Sequence, residues 1–485
     1  MNQDHIIQKV FVEITVNNKE KAYGIKEDIS SFLSIDVFPE IEKHIEALEH
    51  KFSGQTLQIP KLELNLEIKN SSLNAELKDM IVRYFKEELA GVTSPLLSSE
   101  QETENSVEAY LVGNQEKMIQ TFLYFLEHGS MPWWNPGKKG IRFLEPAVFE
   151  TLIAADSFPK YIIPVLGKQY IQDRMIHQLS DLQLVQLCRE IVKNRKLEIS
   201  LKDDMIISIS KFTFPDRMII WRLILDVLSK YAANVSQSSL REYVLEQTVK
   251  TGTFPELQER NSPRFKAAIP KIFPSIKKED IENGINRSLE GQQPDVPEHA
   301  KSFLETIHQK NPIANEEAIP DEGQYIQHAG LILIHPFIKT FFQHCGLLDP
   351  KNQQLLDPEL GAHLLHYIAT GKTNAPEYDM VFEKFLCNIP LHQTINRHVK
   401  LSRKHKIEAK IVIESICHNW SPMKNSSIEL LQNEFFQRPG KLAVTDYDYT
   451  LTVERKTQDI LLDKLAWGIG LVKLPWKEKF MYVNW

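Results

Sequence analysis

The sequence predicts an α+β fold, predominantly helical, with strands at the N- and C-terminal ends. Apolar and polar residues alternate with period two at Val10–Val16, at Leu57–Ile68 and between Leu442 and Trp485. Between these ends the apolar spacing is helical, as in Asp181–Cys188 and Met218–Tyr231. Strands gathered at the ends with helices between them argue segregated layers rather than repeated βαβ units, and the two ends are expected to share one sheet.

The elements follow in order. Val10, Val12, Ile14 and Val16 alternate with Phe11, Glu13 and Thr15, which reads as a half-buried strand. A helix is expected around Ile29–Phe52. Leu62, Leu64, Leu66 and Ile68 alternate with Lys61, Glu63, Asn65 and Glu67, the clearest strand pattern in the chain, and a helix follows over Leu73–Leu89. Residues 1–90 therefore read as a strand/helix domain and 91–106, rich in Ser, Thr, Gln and Glu, as a linker. Residues 107–275 read as a helical domain. Two of its helix exits look alike, Gly129-Ser130-Met131-Pro132 and Gly252-Thr253-Phe254-Pro255, each a Gly followed by Pro. Residues 276–324 are charged and poor in aromatics and read as a mobile linker.

Residues 325–485 read as a C-terminal α+β domain. Ala409, Val412, Ile413, Ile416, Cys417 and Trp420 make one apolar helix face. Ser426-Ser427-Ile428-Glu429 fits a capping box. Leu442, Val444, Tyr449, Leu451 and Val453 are strand residues about a polar turn at Asp446–Asp448. Thr457–Trp467 reads as a short helix, with Gly468-Ile469-Gly470 as its cap, and Phe480–Trp485 as a final strand.

Composition bounds the function. At 485 residues, 42% hydrophobic and 25% charged, the chain can bury a large core. A net charge of −7 gives no electrostatic case for nucleic acid. No apolar run reaches the roughly 18 residues of a membrane span, and the N-terminus lacks a secretory h-region. Cys188, Cys345, Cys387 and Cys417 are far apart with no C-x-x-C, as in reduced thiols of a cytoplasmic protein.

Catalytic and metal readings are weak. Asp446-Tyr447-Asp448-Tyr449-Thr450 after a strand resembles the D-x-D-x-T signature of haloacid-dehalogenase-type phosphatases, with Asp446 as nucleophile and Asp448 as general acid beside magnesium. Too little chain follows for the rest of that fold, since one βαβ unit takes about 30 residues or more, so a hairpin turn is favoured. Histidines are dense from His328 to His405, and His363 and His366 lie one helical turn apart. No H-E-x-x-H frame accompanies them, so no metal, cofactor or catalytic residue is assigned.

Several ordered blocks carry a resemblance. They are Ile326-Gln327-His328-Ala329-Gly330-Leu331-Ile332-Leu333-Ile334-His335-Pro336-Phe337, Leu364–Gly371, Lys384–Leu391, Trp420–Ser427, Phe436–Leu442 and Trp467–Trp476, with Gly129–Trp134 and Ile59–Leu66 before them. Together they resemble the tape measure protein family of contractile injection systems. The resemblance departs at His328, where Asn is expected, and at Asn65-Leu66-Glu67, where Asp-Leu-Gly is usual.

The resemblance implies a non-enzymatic assembly protein of a phage-tail-like particle that sets tube length. Its implied partners are inner tube and baseplate or spike proteins, and its implied place is the cytoplasm during assembly. A fully helical chain of this size would span about 730 Å, but 25 prolines and the terminal strands argue against a single rod. Trp467, Pro475, Trp476 and Trp485, with Trp133 and Trp134, are the candidate partner-binding residues, because tryptophan supplies much interface energy per residue. A core role is at least as strong for any single one. A phosphatase using Asp446 and Asp448, or a helical-repeat adaptor, stands as the alternative.

Overall fold

The computed structural model describes residues 6–16, 18–48, 55–67, 73–98, 110–135, 142–193, 199–202, 207, 209–232, 237–252, 262–283 and 323–485. The chain forms two compact units, Met1–Gln120 and Thr121–Trp485.

In the first unit, α1 (Lys19–Phe32) passes through a π-helical turn, Leu33–Val37, into α2 (Phe38–Leu48). Strand β1 (Gln55–Gln58) precedes α3 (Ala75–Ser98), and β2 (Tyr110–Gly113) pairs antiparallel with β1. Phe32, Val37 and Ile41 are buried against Leu77, Ile81 and Phe85, whose helical spacing puts them on one face of α3. That helix runs on to Ser98, through the start of the 91–106 stretch; residues 99–106 lie outside the described ones.

The expected first strand is corrected. Among the described residues Val10–Val16 joins no ladder, and Val10, Phe11, Val12 and Ile14 are exposed, Phe11 by 80%. Alternation fixes which way side chains would face, but a strand forms only where the fold supplies a partner edge. Leu62, Leu64 and Leu66 keep their alternation, half-buried between exposed neighbours, yet only β1 upstream of them is laddered. Nor, among the described residues, do the two ends share one sheet. β1 finds its partner in β2, and the C-terminal strands close a separate five-stranded sheet.

α4 (Asn114–His128) crosses the division between the units. The second unit continues with α5 (Pro146–Ile153), α6 (Phe158–Leu166), α7 (Gln169–Gln178), α8 (Asp181–Val192), α9 (Phe214–Ala232), α10 (Gln237–Gly252) and α11 (Ser262–Ile272). α9 packs on α6, α7 and α10 and buries Ile220, Trp221, Ile224, Leu225 and Leu228. The Trp221 indole N–H is satisfied by Asp181 Oδ1 at 2.7 Å, which also pairs with Arg217 at 2.6 Å. Ser180 caps α8, its hydroxyl accepting the Gln183 N–H at 3.2 Å. Ile276 and Ile281, inside the 276–324 segment, are buried; residues 284–322 lie outside the described ones, as do Thr253, Phe254 and Pro255 of the second helix exit.

The C-terminal part opens with β3 (Gln324–Ile326) and a 3-10 helix, Ala329–Ile334. α12 (His335–His344), α13 (Pro358–Thr370), α14 (Val381–Leu386), α15 (Arg403–Asn419) and α16 (Ile428–Leu431) follow. β4 (Gly440–Val444), β5 (Tyr449–Val453), β6 (Leu471–Val472) and β7 (Met481–Asn484) complete the sheet in the order β3-β4-β5-β7-β6. β5 and β7 are parallel and the other pairs antiparallel. A parallel pair needs a crossover, and the chain between β5 and β7 supplies it. Leu442, Leu451 and Val483 lie in register and point inward. The expected α15 face, Ala409 through Trp420, is buried in the same core.

Candidate functional site

The Asp446–Asp448 segment forms the tip of the antiparallel β4–β5 hairpin. Thr445 Oγ1 accepts the backbone N–H groups of Tyr447 at 3.2 Å and Asp448 at 3.1 Å, and the hydroxyl donates to Asp448 Oδ1 at 2.9 Å. These are turn contacts. A phosphatase nucleophile would stand at the carboxyl end of a parallel strand beside a crevice; Asp446 stands exposed on a hairpin tip.

The tryptophans hold the chain to itself. Trp476 is buried against Phe342, ring centroids 5.4 Å apart, and donates to the Leu386 carbonyl at 2.8 Å. Trp420 is fully buried and donates to the Leu461 carbonyl at 2.9 Å. Trp467 is half-buried, edge-on to Phe337, and donates to the Leu333 carbonyl at 3.1 Å. Trp485 is half-buried and donates to Asp459 Oδ2 at 3.1 Å; the same carboxylate pairs with the buried Arg438 at 2.8 Å. Trp133 and Trp134 are half-buried and stack edge-on, 5.7 Å apart, while Pro475 is exposed. Gly468-Ile469-Gly470 is not a helix cap. The 3-10 helix ends earlier, at Lys464, and the Gly470 carbonyl instead accepts the Val483 N–H at 3.0 Å.

The outer face of the sheet carries two tyrosines and a leucine among threonines and a lysine. Leu471 is paired with Tyr482 and Tyr482 with Thr450; Tyr325 is paired with Lys441 and Lys441 with Thr452. Tyr325, Leu471 and Tyr482 are exposed on this outer face. Phe480 is exposed just before β7, and Tyr447 at the hairpin tip is 87% exposed. Lysines attend these rings, Lys441 at 5.4 Å from Tyr325 and Lys473 at 5.2 Å from Phe480.

Two buried charged clusters escaped the sequence reading. In one, Glu377 pairs with Lys384 at 2.6 Å and with Arg174 at 3.3 Å, all three essentially fully buried. The remaining donors are met by carbonyls: Lys384 reaches those of Leu391 and Gln393, and Arg174 those of Leu126 and His392. Burial pushes the Lys384 ammonium down, against the pull of Glu377. This network welds α7 to the loops around α14 within the second unit. Gly129 closes it: its φ is +75°, and a Cβ there would stand 2.6 Å from Glu377 Oε1.

In the other cluster, His328 beside the 3-10 helix, His366 of α13 and Glu383 of α14 converge. The two imidazole Nδ1 atoms lie 2.7 and 3.1 Å from Glu383 Oε1. Burial raises the Glu383 carboxyl, but the two imidazoles outweigh it and hold it at about 2. Glu383 Oε2 is buried with no hydrogen-bond partner among the described residues. The histidines were visible in the sequence as a dense run. Glu383 and Glu377 were not, because nothing in a local pattern marks a carboxylate as buried.

No helix among the described residues is long and apolar enough to cross a membrane. No curated protein and no solved structure matches the chain. The family model for the contractile injection system tape measure protein matches residues 4–485. A match over that span covers nearly every residue, including the sheet, the tryptophan anchors and both buried clusters. The chain therefore belongs to the contractile injection system tape measure protein family.

Proposed function

We propose that the chain is a non-enzymatic assembly protein that docks onto inner tube and baseplate or spike subunits and sets the length of the tube. The family match along the whole chain carries this reading. The docking face is the outer face of the C-terminal sheet, with Tyr325, Tyr447, Leu471, Phe480 and Tyr482, and with Pro475 beside it. Exposed aromatics on a rigid sheet are good interface anchors. Trp467, Trp476 and Trp485 pack into the same core as the sheet's inner residues, and Trp133 and Trp134 offer a second contact in the helical part. The chain acts as a folded body during assembly in the cytoplasm. Its longest described helix, α3 with 24 residues, spans about 36 Å, far short of a tube-length rod.

The test is capture of purified tube and baseplate subunits by the full chain and by Tyr447→Ala combined with Tyr482→Ser. Both side chains are exposed, so thermal stability should stay unchanged. Capture should weaken by about 30-fold or more, as for hot-spot loss. Equal capture by the variant, or none by the native chain, would remove this docking face.

A further inference from the structure

We infer that His328, His366 and Glu383 form a buried structural site for a divalent transition metal ion, best suited to zinc. The three ligand atoms, two imidazole nitrogens and a carboxylate oxygen, lie within 4.8 Å of one another. They come from three separate elements: the turn after β3, the middle of α13 and the first turn of α14. That donor set matches zinc preference, and imidazole with carboxylate is what a borderline ion takes.

Hydrogen bonding alone leaves the cluster incomplete. Both Nδ1 atoms address the same oxygen, Oε1, while the buried Oε2 has no partner among the described residues. A buried carboxylate oxygen without a donor is expensive. Lys384, next in the chain, turns away to Glu377 and two carbonyls. Asp379 also lies within electrostatic range of both imidazoles and of Glu383.

The spacing admits the ion. Two ligands about 2.1 Å from zinc stand about 3.4 Å apart at the tetrahedral angle. The nitrogen–oxygen separations here, 2.7 and 3.1 Å, need only small outward movements of the side chains. His328, His366 and Glu383 are 7%, 4% and 0% exposed, which leaves no open face for a substrate, and with the second Glu383 oxygen as the fourth donor the site is closed and structural. The ion would tie the start of the C-terminal core to α13 and α14.

The experiment uses the full chain, equilibrated with zinc, dialysed against metal-free buffer and assayed for metal by mass spectrometry. About one zinc per chain should be retained. Chelation should lower the melting temperature and added zinc restore it. His366→Ala and Glu383→Gln should lose the retained zinc. His344→Ala, which breaks the exposed His344–Glu408 pair, should keep it. If the buried variants fail to fold, cobalt decides in the unaltered chain: strong visible absorption of a four-coordinate ion, displaced by zinc, supports the site. Sub-stoichiometric zinc with no thermal shift overturns it. So does retention that falls in His344→Ala and not in Glu383→Gln, or cobalt that stays six-coordinate.

Discussion

Glu377 stands between two buried cations, Arg174 and Lys384, and replacing it with Ala would remove the direct ion-pair partner of both. Breaking a buried pair from one side costs about 3–5 kcal/mol. Urea denaturation of Glu377→Ala should show a loss of that size; a loss near zero would mean water reaches the pair. Glu359 behaves differently. Burial raises its carboxyl from 4.5 to about 7, although it accepts the Asn396 N–H at 2.6 Å. Between those values the folded chain keeps a proton that the unfolded chain has released. Stability therefore falls as pH rises through that window and levels off above it. The stability of Glu359→Gln relative to the native chain should rise between pH 5 and pH 8, and a constant difference would contradict the shift. Gly330 is fixed by space: a Cβ there would meet the Phe435 carbonyl oxygen at 1.7 Å. At this scale the sequence was legible where the cause is local, as in the Asp446–Asp448 turn. It was mute on Glu377 and Glu383, whose importance comes from desolvation by distant parts of the chain; Arg174 and Glu377 are 203 residues apart.

Among the elements, α15 and the C-terminal sheet were readable because their apolar periods coincide with real burial. Ser402 caps α15, its hydroxyl accepting the His405 N–H at 3.1 Å, so Ser402→Ala should cost about 1 kcal/mol in thermal or chemical melts. The last strand is structural. β7 lies between β5 and β6, and Met481 and Val483 are buried. Removing residues 481–485 should therefore unfold the C-terminal core cooperatively, seen as loss of the main thermal transition. An unchanged melt would show the end to be dispensable. The expected strand at Val10–Val16 failed for the converse reason: alternation without a partner edge makes an extended segment, not a ladder. The caps shifted by small steps, Ser427 serving where Ser426 was expected, because neighbouring serines have the same chemistry.

At the scale of the whole molecule, the second unit runs from Thr121 to Trp485 and joins α7 to α14 and its flanking loops through the Arg174 network. That packing was not legible, since periodicity reports on single elements and not on which ones meet. The family was legible, because several spaced blocks fall in one order over the chain. Length control, if it depends on chain length, should respond to edits within residues 284–322. Ile276 and Ile281 are buried, so such edits should leave them in place. The length distribution of particles assembled with and without this chain, measured by electron microscopy, tests the proposal most directly. A narrow distribution with the chain, and a broad one or no particles without it, is the predicted result. The same narrow distribution in its absence would contradict the role assigned to it.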